Sequence, residues 1–138
     1  MNALVEKFAA PVDLAGRLLL ALIFISAGAG KVGGYAGTQA YMESFGVPGG
    51  LLPLVIVAEL GGGLMLALGL LSRWTALALA GFTVIAALIF HLDFADQIQT
   101  IMFMKNLAIA GGLVLVLRHG AGAWSVDAVL QRRAFQPA

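Results

Sequence analysis

Residues 51–71 read LLPLVIVAELGGGLMLALGLL, and this stretch decides the fold class. A helix needs about 20 mainly apolar residues to cross a hydrocarbon core of about 30 Å, and the stretch is that long. Glu59 is its single charged residue, and the glycines of 61–63 follow almost directly. Burying an ionised carboxylate near the middle of a membrane span costs free energy, so we expect Glu59 to have a partner or a function.

The composition of the whole chain is typical of a membrane protein. Hydrophobic residues make up 61% of the 138 residues, and charged residues only 11%. Soluble domains carry about 25% charged residues, so this chain is expected to be solvated mainly by lipid. The absence of cysteine excludes disulfides, thiol catalysis and cysteine-ligated metal sites. The net charge of +1 gives no reason to expect a nucleic-acid partner.

Three further apolar segments accompany the first. A lipid-exposed backbone must satisfy its hydrogen bonds within the segment, so each span is predicted to be a helix. We therefore predict an all-α fold, an integral membrane four-helix transmembrane bundle that forms a single domain over residues 1–138. The predicted spans are 14–32, 51–71, 74–92 and 101–117.

The distribution of basic residues predicts the orientation in the membrane. Four spans place both termini on one side, and that side carries most of the basic residues: Lys7, Arg17, Arg73, Arg118, Arg132 and Arg133. Because cytoplasmic segments are enriched in lysine and arginine, both termini are predicted to be cytoplasmic. The loops 33–50 and 93–100 are then outside.

Two short interfacial helices are predicted beyond the spans. In the first outer loop, Thr38 is expected to N-cap a helix that ends near Phe45, with Gly46 at its C-cap. In the C-terminal tail, Ser125 is expected to cap a helix on the inner surface. Its lipid-facing residues would be Trp124, Val129 and Leu130.

Polar residues of the spans concentrate in the predicted outer half. At 1.5 Å per residue, Glu59 lies about 12 Å and Lys105 about 6 Å inside the outer end of its span. Lys31, His91 and Asn106 belong to the same half. Glycines and alanines share helix faces with Glu59 and Lys105, so these charges are expected to point into the bundle.

Two states of Glu59 are open at this point. It is either ionised and paired with Lys105 or Lys31, or it is protonated. Such a pair could also fix helix register without any further role. Lys31 and Arg17 have the positions of interfacial anchors. Lys105 has a long apolar stem, so its ammonium group can reach the interface.

The chain offers little that could hold a metal or carry electrons. His91, Asp93 and Asp96 match no strong metal-ligand spacing, and we predict no metal site. His91 and His119 are predicted on opposite sides of the membrane, which argues against a haem pair. No cofactor is expected to be covalently bound, and any redox partner or cofactor must be external.

Four motifs occur in order along the chain. They are R…F…GxxK over residues 17–31, GVP over 46–48, ELGG at 59–62 with LGL at 68–70 and Arg73, and GAGAWSVD over 120–127. Together they resemble those of the DoxX family of small four-helix bacterial membrane proteins. The glycines after Glu59 come one residue earlier than in the family pattern. The resemblance runs from about Asp13 to Leu130.

The resemblance implies a multi-pass protein of the bacterial cytoplasmic (inner) membrane. The similar DoxD-type subunit belongs to a thiosulfate:quinone oxidoreductase, which implies a non-autonomous membrane subunit of an oxidoreductase that binds quinone. Glu59 would then exchange protons with the quinol, and Lys105 or Asn106 would hydrogen-bond a quinone carbonyl. Lys31 and His91 are further candidate contacts.

Two alternative functions are left open by the residues. The first is a non-catalytic scaffold or assembly partner for another membrane protein, in which Glu59 and Lys105 are structural. The second, less favoured, is transport of a small solute or proton, which would call for a homo-oligomer because four short helices enclose little space.

Overall fold

The computed structural model describes residues 6–134, and every regular element within that range is helical. Four helices are long and apolar enough to cross a membrane: α1 (Ala9–Gly33), α3 (Gly49–Leu68), α4 (Ser72–Phe90) and α5 (Gln97–His119). Two short helices, α2 (Tyr35–Ser44) and α6 (Val126–Ala134), lie at opposite ends, which we call the α2 end and the α6 end. The predicted all-α, four-helix fold is confirmed.

The turn between α3 and α4 comes earlier than the predicted span end at residue 71. α3 stops at Leu68 because Gly69 adopts a left-handed conformation with φ 67°. The N–H groups of residues 69 and 70 donate back to the last turn of the helix and close a Schellman motif. Leu71 is also left-handed, with φ 46°, a conformation that side chains rarely adopt.

α4 and α5 also differ from their predicted spans at their ends. α4 stops at Phe90 instead of residue 92. α5 begins at Gln97, four residues before the predicted span, because Asp96 caps it. The Oδ1 atom of Asp96 accepts a hydrogen bond from the Ile98 N–H at 2.8 Å, which satisfies one of the free donors of the first turn.

The predicted cap of α2 was wrong. The helix begins at Tyr35, so Thr38 lies within its first turn and its hydroxyl donates to the Gly34 carbonyl. The end of α2 agrees better with the sequence. Gly46 has φ 76°, and two backbone hydrogen bonds return from residues 46 and 47 to the last turn.

α1 and α3 pack closely because glycines face the partner helix. A Cβ atom on Gly28 would lie 3.0 Å from the backbone nitrogen of Leu60. A Cβ atom on Gly63 would lie 3.1 Å from the backbone nitrogen of Ile25. Small residues allow such close approach of membrane helices, and this contact places the Glu59 segment against α1.

α4 packs mainly against α5, and this pair meets the α1–α3 pair through two further glycines. Leu79 of α4 lies over Gly62, and Leu20 of α1 lies over Gly112. The buried core between the pairs is formed by Ala21, Phe24, Leu66, Ala76, Leu79, Ala80 and Leu113. This apolar core fills the middle of the bundle, so the polar residues are separated into two groups, one at each end.

Candidate functional site

Helix α3 changes its winding around Glu59. Residues Val57–Gly61 form a π-helical turn between two α-helical segments. A π turn shifts the phase of the residues that follow, and such turns occur often at functional sites. Glu59 lies in the middle of this turn and is only 6% exposed. The sequence carried no clear signal for this turn, because Gly61 and Gly62 keep ordinary helical φ angles of -64° and -61°.

Glu59 is paired with Lys31 of α1. The Nζ atom of Lys31 donates to Oε1 at 2.9 Å and lies 2.8 Å from Oε2. The ammonium group therefore contacts both oxygens of the buried carboxylate. The sequence allowed either Lys31 or Lys105 as the partner of Glu59, and in the structure the partner is Lys31. One ammonium group does not use all of the acceptor sites of a carboxylate, so Glu59 retains the capacity to accept a further hydrogen bond.

The ion pair lines a cavity of 410 Å³ at the α2 end, which we call the α2-end cavity. All of the polar residues predicted for the outer halves of the spans line this cavity. They are Lys31, Glu59, His91, Lys105 and Asn106. Most of its remaining wall is aliphatic or aromatic. Its volume lies within the range of about 300–1,000 Å³ that is usual for small-ligand sites. The roles assigned to these side chains stay predictions.

Lys105 and His91 each have a nearby partner on α5. Lys105 is exposed, and its Nζ lies 3.0 Å from the Sδ of Met102. It lies eight residues into α5, about 12 Å from the helix start, because the helix begins four residues before the predicted span. The Nδ1 atom of His91 lies 2.7 Å from Oε1 of Gln99, a residue that no sequence motif indicated.

α2 lies over the end of the α2-end cavity. Its Tyr41 and the following Phe45 pack with Phe90 of α4, with ring centroids 5.0 to 5.5 Å apart. The cavity also reaches the side of the bundle, since the lining residues Ile23 and Ile85 are 40% and 59% exposed. Exposed apolar side chains at this level of a spanning helix face hydrocarbon. The cavity therefore borders side chains that face hydrocarbon.

Arg17 forms a second polar group, at the α6 end. It is only 2% exposed, so its predicted position as an interfacial anchor was wrong. Its Nε donates to the Ala67 carbonyl at 3.2 Å, its Nη2 to the Trp124 carbonyl at 2.8 Å, and its Nη1 to the Ala121 carbonyl. The planar fork of arginine suits several acceptors at once. Arg17 thus joins α1, α3 and the tail.

Asp127 fastens the same tail to α4. Its carboxylate accepts the N–H groups of Leu71 and Ser72, both at 2.8 Å, and the Ser72 hydroxyl at 2.5 Å. Burial raises the pKa of Asp127, but the hydrogen bonds from Ser72 and Leu71 and the charge of Arg17 outweigh it. The pKa therefore lies below its ordinary value. We call Arg17 and Asp127 with these partners the terminal clamp.

The GAGAWSVD motif of residues 120–127 has a structural explanation in this clamp. Gly120 and Gly122 take positive φ angles of 84° and 76°, which turn the chain back after α5. Ser125 caps α6 as predicted, since its Oγ accepts the Ala128 N–H at 3.2 Å. Asp127 then reaches α4. The motif serves to fold the tail against the bundle.

Four apolar helices around a largely apolar cavity that contains an ion pair define a small integral membrane bundle. Comparison with known proteins identifies the family. A family model described as DoxX matches residues 12–92. The chain is 52% identical over 120 residues to inner membrane protein YqjF of Escherichia coli (strain K12), covering 87% of this chain and 92% of that protein.

A second relative is inner membrane protein YphA of the same organism. It is 35% identical over 121 residues, covering 83% of this chain and 86% of that protein. No solved structure matches the chain. This protein therefore belongs to the DoxX family, as its motifs predicted, and is a multi-pass protein of the inner membrane.

Proposed function

We propose that this DoxX-family protein binds a membrane quinone in the α2-end cavity and acts as the quinone-linked membrane subunit of an oxidoreductase complex. One observation carries the proposal. The buried carboxylate of Glu59 has one cationic partner, Lys31, for both of its oxygens, and it lies at the wall of a largely apolar cavity whose lining residues Ile23 and Ile85 are exposed on the sides of the bundle. A quinone head combines an apolar ring with two carbonyl oxygens, and apolar walls with a few polar groups suit it.

In this proposal, different lining residues exchange a proton, position the carboxylate and donate a hydrogen bond to the quinone. A quinone takes up two electrons and two protons to become a quinol, and the electrons would come from a partner protein. Glu59 would exchange a proton with one quinone oxygen, and Lys31 holds that carboxylate in place at 2.9 Å. Asn106 or Lys105 would donate to the other oxygen, since both line the same cavity.

The direct test is the quinone content of the protein extracted in mild detergent from its own membrane. We expect the wild type to retain quinone above the micelle background and Glu59→Gln to lose most of it. Asp93→Asn is the matched control, because Asp93 is an exposed carboxylate at the same end that does not line the cavity. Wild-type protein without excess quinone would refute the proposal.

A cavity-filling variant separates occupancy of the cavity from the chemistry of Glu59. Ala27 lines the cavity, and Ala29 on the same helix is exposed outside it. Ala27→Leu should remove the retained quinone while the melting temperature stays equal or rises. Ala29→Leu should retain quinone like the wild type. Quinone retained in Ala27→Leu would mean that the lipid binds elsewhere on the protein.

A non-catalytic assembly role is the second candidate, and the surface of α1 favours it. Gly16, Gly30 and Gly33 are exposed there, and a Cβ atom on each would meet nothing within 4 Å. Small residues on a lipid-facing surface allow another helix to approach closely. Under this alternative, a co-purifying membrane protein should be lost in Gly30→Leu and retained in Glu59→Gln. The quinone proposal expects Glu59→Gln to change quinone content.

A further inference from the structure

A second cavity, of 490 Å³, lies at the α6 end and has no part in the quinone proposal. Its walls are the start of α4, the loop of residues 119–123 and the first turns of α6. This wall is far more polar than that of the α2-end cavity. We call it the α6-end cavity.

Two arginines and a histidine from three segments surround the α6-end cavity. Arg73 and His119 line it, and the Arg73 Nε would lie 3.8 Å from a Cβ atom on Gly120. Arg132 lies at its rim, where its Nη2 donates to the Ala123 carbonyl at 2.9 Å. Arg73 and His119 come together because α4 packs against α5, and the tail that folds back onto α4 adds Arg132.

Two carboxylates lie in or near the cavity wall, and the one in the lining is already hydrogen-bonded. Asp127 is the one carboxylate among the lining residues, and it already accepts three hydrogen bonds from Leu71 and Ser72. Asp13 lies behind the loop, against Gly122 and beside Arg17. The guanidinium of Arg73 is exposed and open to an external anion.

The cavity lies at the level of the lipid headgroups. α4 begins at Ser72 and runs for 19 residues, about 28 Å, which is close to the hydrocarbon thickness of about 30 Å. Trp74 lines the cavity and is 73% exposed, and tryptophan is enriched at the membrane–water interface. Leu71, also in the lining, is 55% exposed and gives acyl chains an apolar surface.

We propose that the α6-end cavity binds the phosphate of an anionic phospholipid, with Arg73 and His119 as the phosphate contacts. The acyl chains would run beside Leu71 and Trp74 into the bilayer. Phosphate oxygens are the acceptors that an arginine fork recognises best. The bound headgroup would bridge α4 and the end of α5, next to the terminal clamp.

Tryptophan fluorescence gives a direct test, because the chain has two tryptophans. Trp124→Phe leaves Trp74 as the single reporter and keeps the bond from Arg17, which goes to the backbone carbonyl. This full-length protein is reconstituted in phosphatidylcholine vesicles with brominated-chain phosphatidylglycerol, or with brominated phosphatidylcholine at the same mole fraction. We expect the phosphatidylglycerol to quench Trp74 at lower mole fractions. Equal quenching by both lipids overturns the proposal.

Charge variants in the same vesicles show whether the preference for phosphatidylglycerol depends on Arg73 itself or on the overall positive charge of this end. Arg73→Gln should reduce the preference for phosphatidylglycerol about five-fold. Arg118→Gln removes the same charge next to His119, outside the cavity, and should keep the preference. An equal loss in both variants means general attraction and overturns the site. If Arg73→Gln does not fold, His119→Gln takes its place with the expectation of a clear loss.

Inorganic phosphate distinguishes a lipid from a soluble ligand. Added at the same ionic strength as a chloride control, it should leave the quenching by phosphatidylglycerol unchanged. If phosphate, but not chloride, restores the Trp74 fluorescence to the level seen with phosphatidylcholine, the site recognises a free phosphate. That result overturns the assignment to lipid.

Discussion

The two ends of the bundle each bury a charged side chain, and they satisfy it differently. At the α6 end, Arg17 is 2% exposed, and its three nitrogens reach three backbone carbonyls. At the α2 end, Glu59 is 6% exposed, has one hydrogen bond and faces a cavity of 410 Å³. A fully satisfied buried charge stabilises one structure, whereas a partly satisfied charge beside a cavity is available to a ligand.

Removing the charge of Arg17 and removing the charge of Glu59 should change the stability of the protein by different amounts. The partners of Arg17 are backbone carbonyls of α3 and the tail, which cannot move to water without local unfolding. The partner of Glu59 is Lys31, whose side chain is 26% exposed and flexible. Stability should therefore depend mainly on the α6 end, and ligand binding in the cavity mainly on the α2 end.

Arg17→Met should have the largest effect on stability. It leaves one buried and two partly buried carbonyls without their donor, and each unsatisfied buried group costs about 1–3 kcal/mol. We expect a total loss of about 3–5 kcal/mol, measured as a fall in the melting temperature in one detergent. The matched control is Arg118→Met, because Arg118 is exposed at the same end. Equal melting temperatures for the two variants would show that the terminal clamp contributes little.

Gly63→Ala should destabilise the contact that holds Glu59 against α1. The new Cβ would lie 2.9 Å from Cγ1 and 3.1 Å from the backbone nitrogen of Ile25, so the helices must separate. Overpacking of this kind costs about 1–3 kcal/mol. Gly61→Ala is the control, because a Cβ there meets nothing within 4 Å. If both variants melt alike, close approach of α1 and α3 is not needed.

The sequence predicted the parts of this molecule that depend on the solvent and on local geometry. Lipid requires helices of a certain length, so the four spans followed from apolar segments such as residues 51–71. Helical phase and small residues predicted that Glu59 points into the bundle. Ser125 and Gly46 were found because caps and left-handed turns depend on a few adjacent residues.

The sequence could not predict contacts between distant residues. Two acceptors of Arg17 lie 104 and 107 residues away, in a tail whose return to the bundle leaves no periodic signal. The choice of Lys31 over Lys105 depends on the order of helices around the bundle, which periodicity does not fix. The π turn at Glu59 was also missed, because an α-helical phase was assumed throughout α3.

Asp127→Asn should have a smaller, pH-dependent effect at the α6 end. The pKa of folded Asp127 is held below its ordinary value of about 3.9, so its stabilising effect is present above about pH 4. It is lost as the pH falls through the folded pKa. At neutral pH the variant should lose about 1 kcal/mol, the usual scale for a helix cap. Thermal unfolding should show this difference constant from pH 7 to about pH 5, and narrowing in stronger acid. A difference that does not change in acid would contradict this role of Asp127.

Glu59→Gln should have the smallest effect on stability, at most about 1 kcal/mol. The amide oxygen can still accept from Lys31, and the freed charge can turn toward water along its stem. Lys31→Gln should cost more, because it leaves a buried carboxylate without a cation. Melting temperatures of the two single variants and the double variant measure this asymmetry. If Glu59→Gln costs as much as Arg17→Met, then Glu59 is as structural as Arg17, and the difference between the two ends disappears.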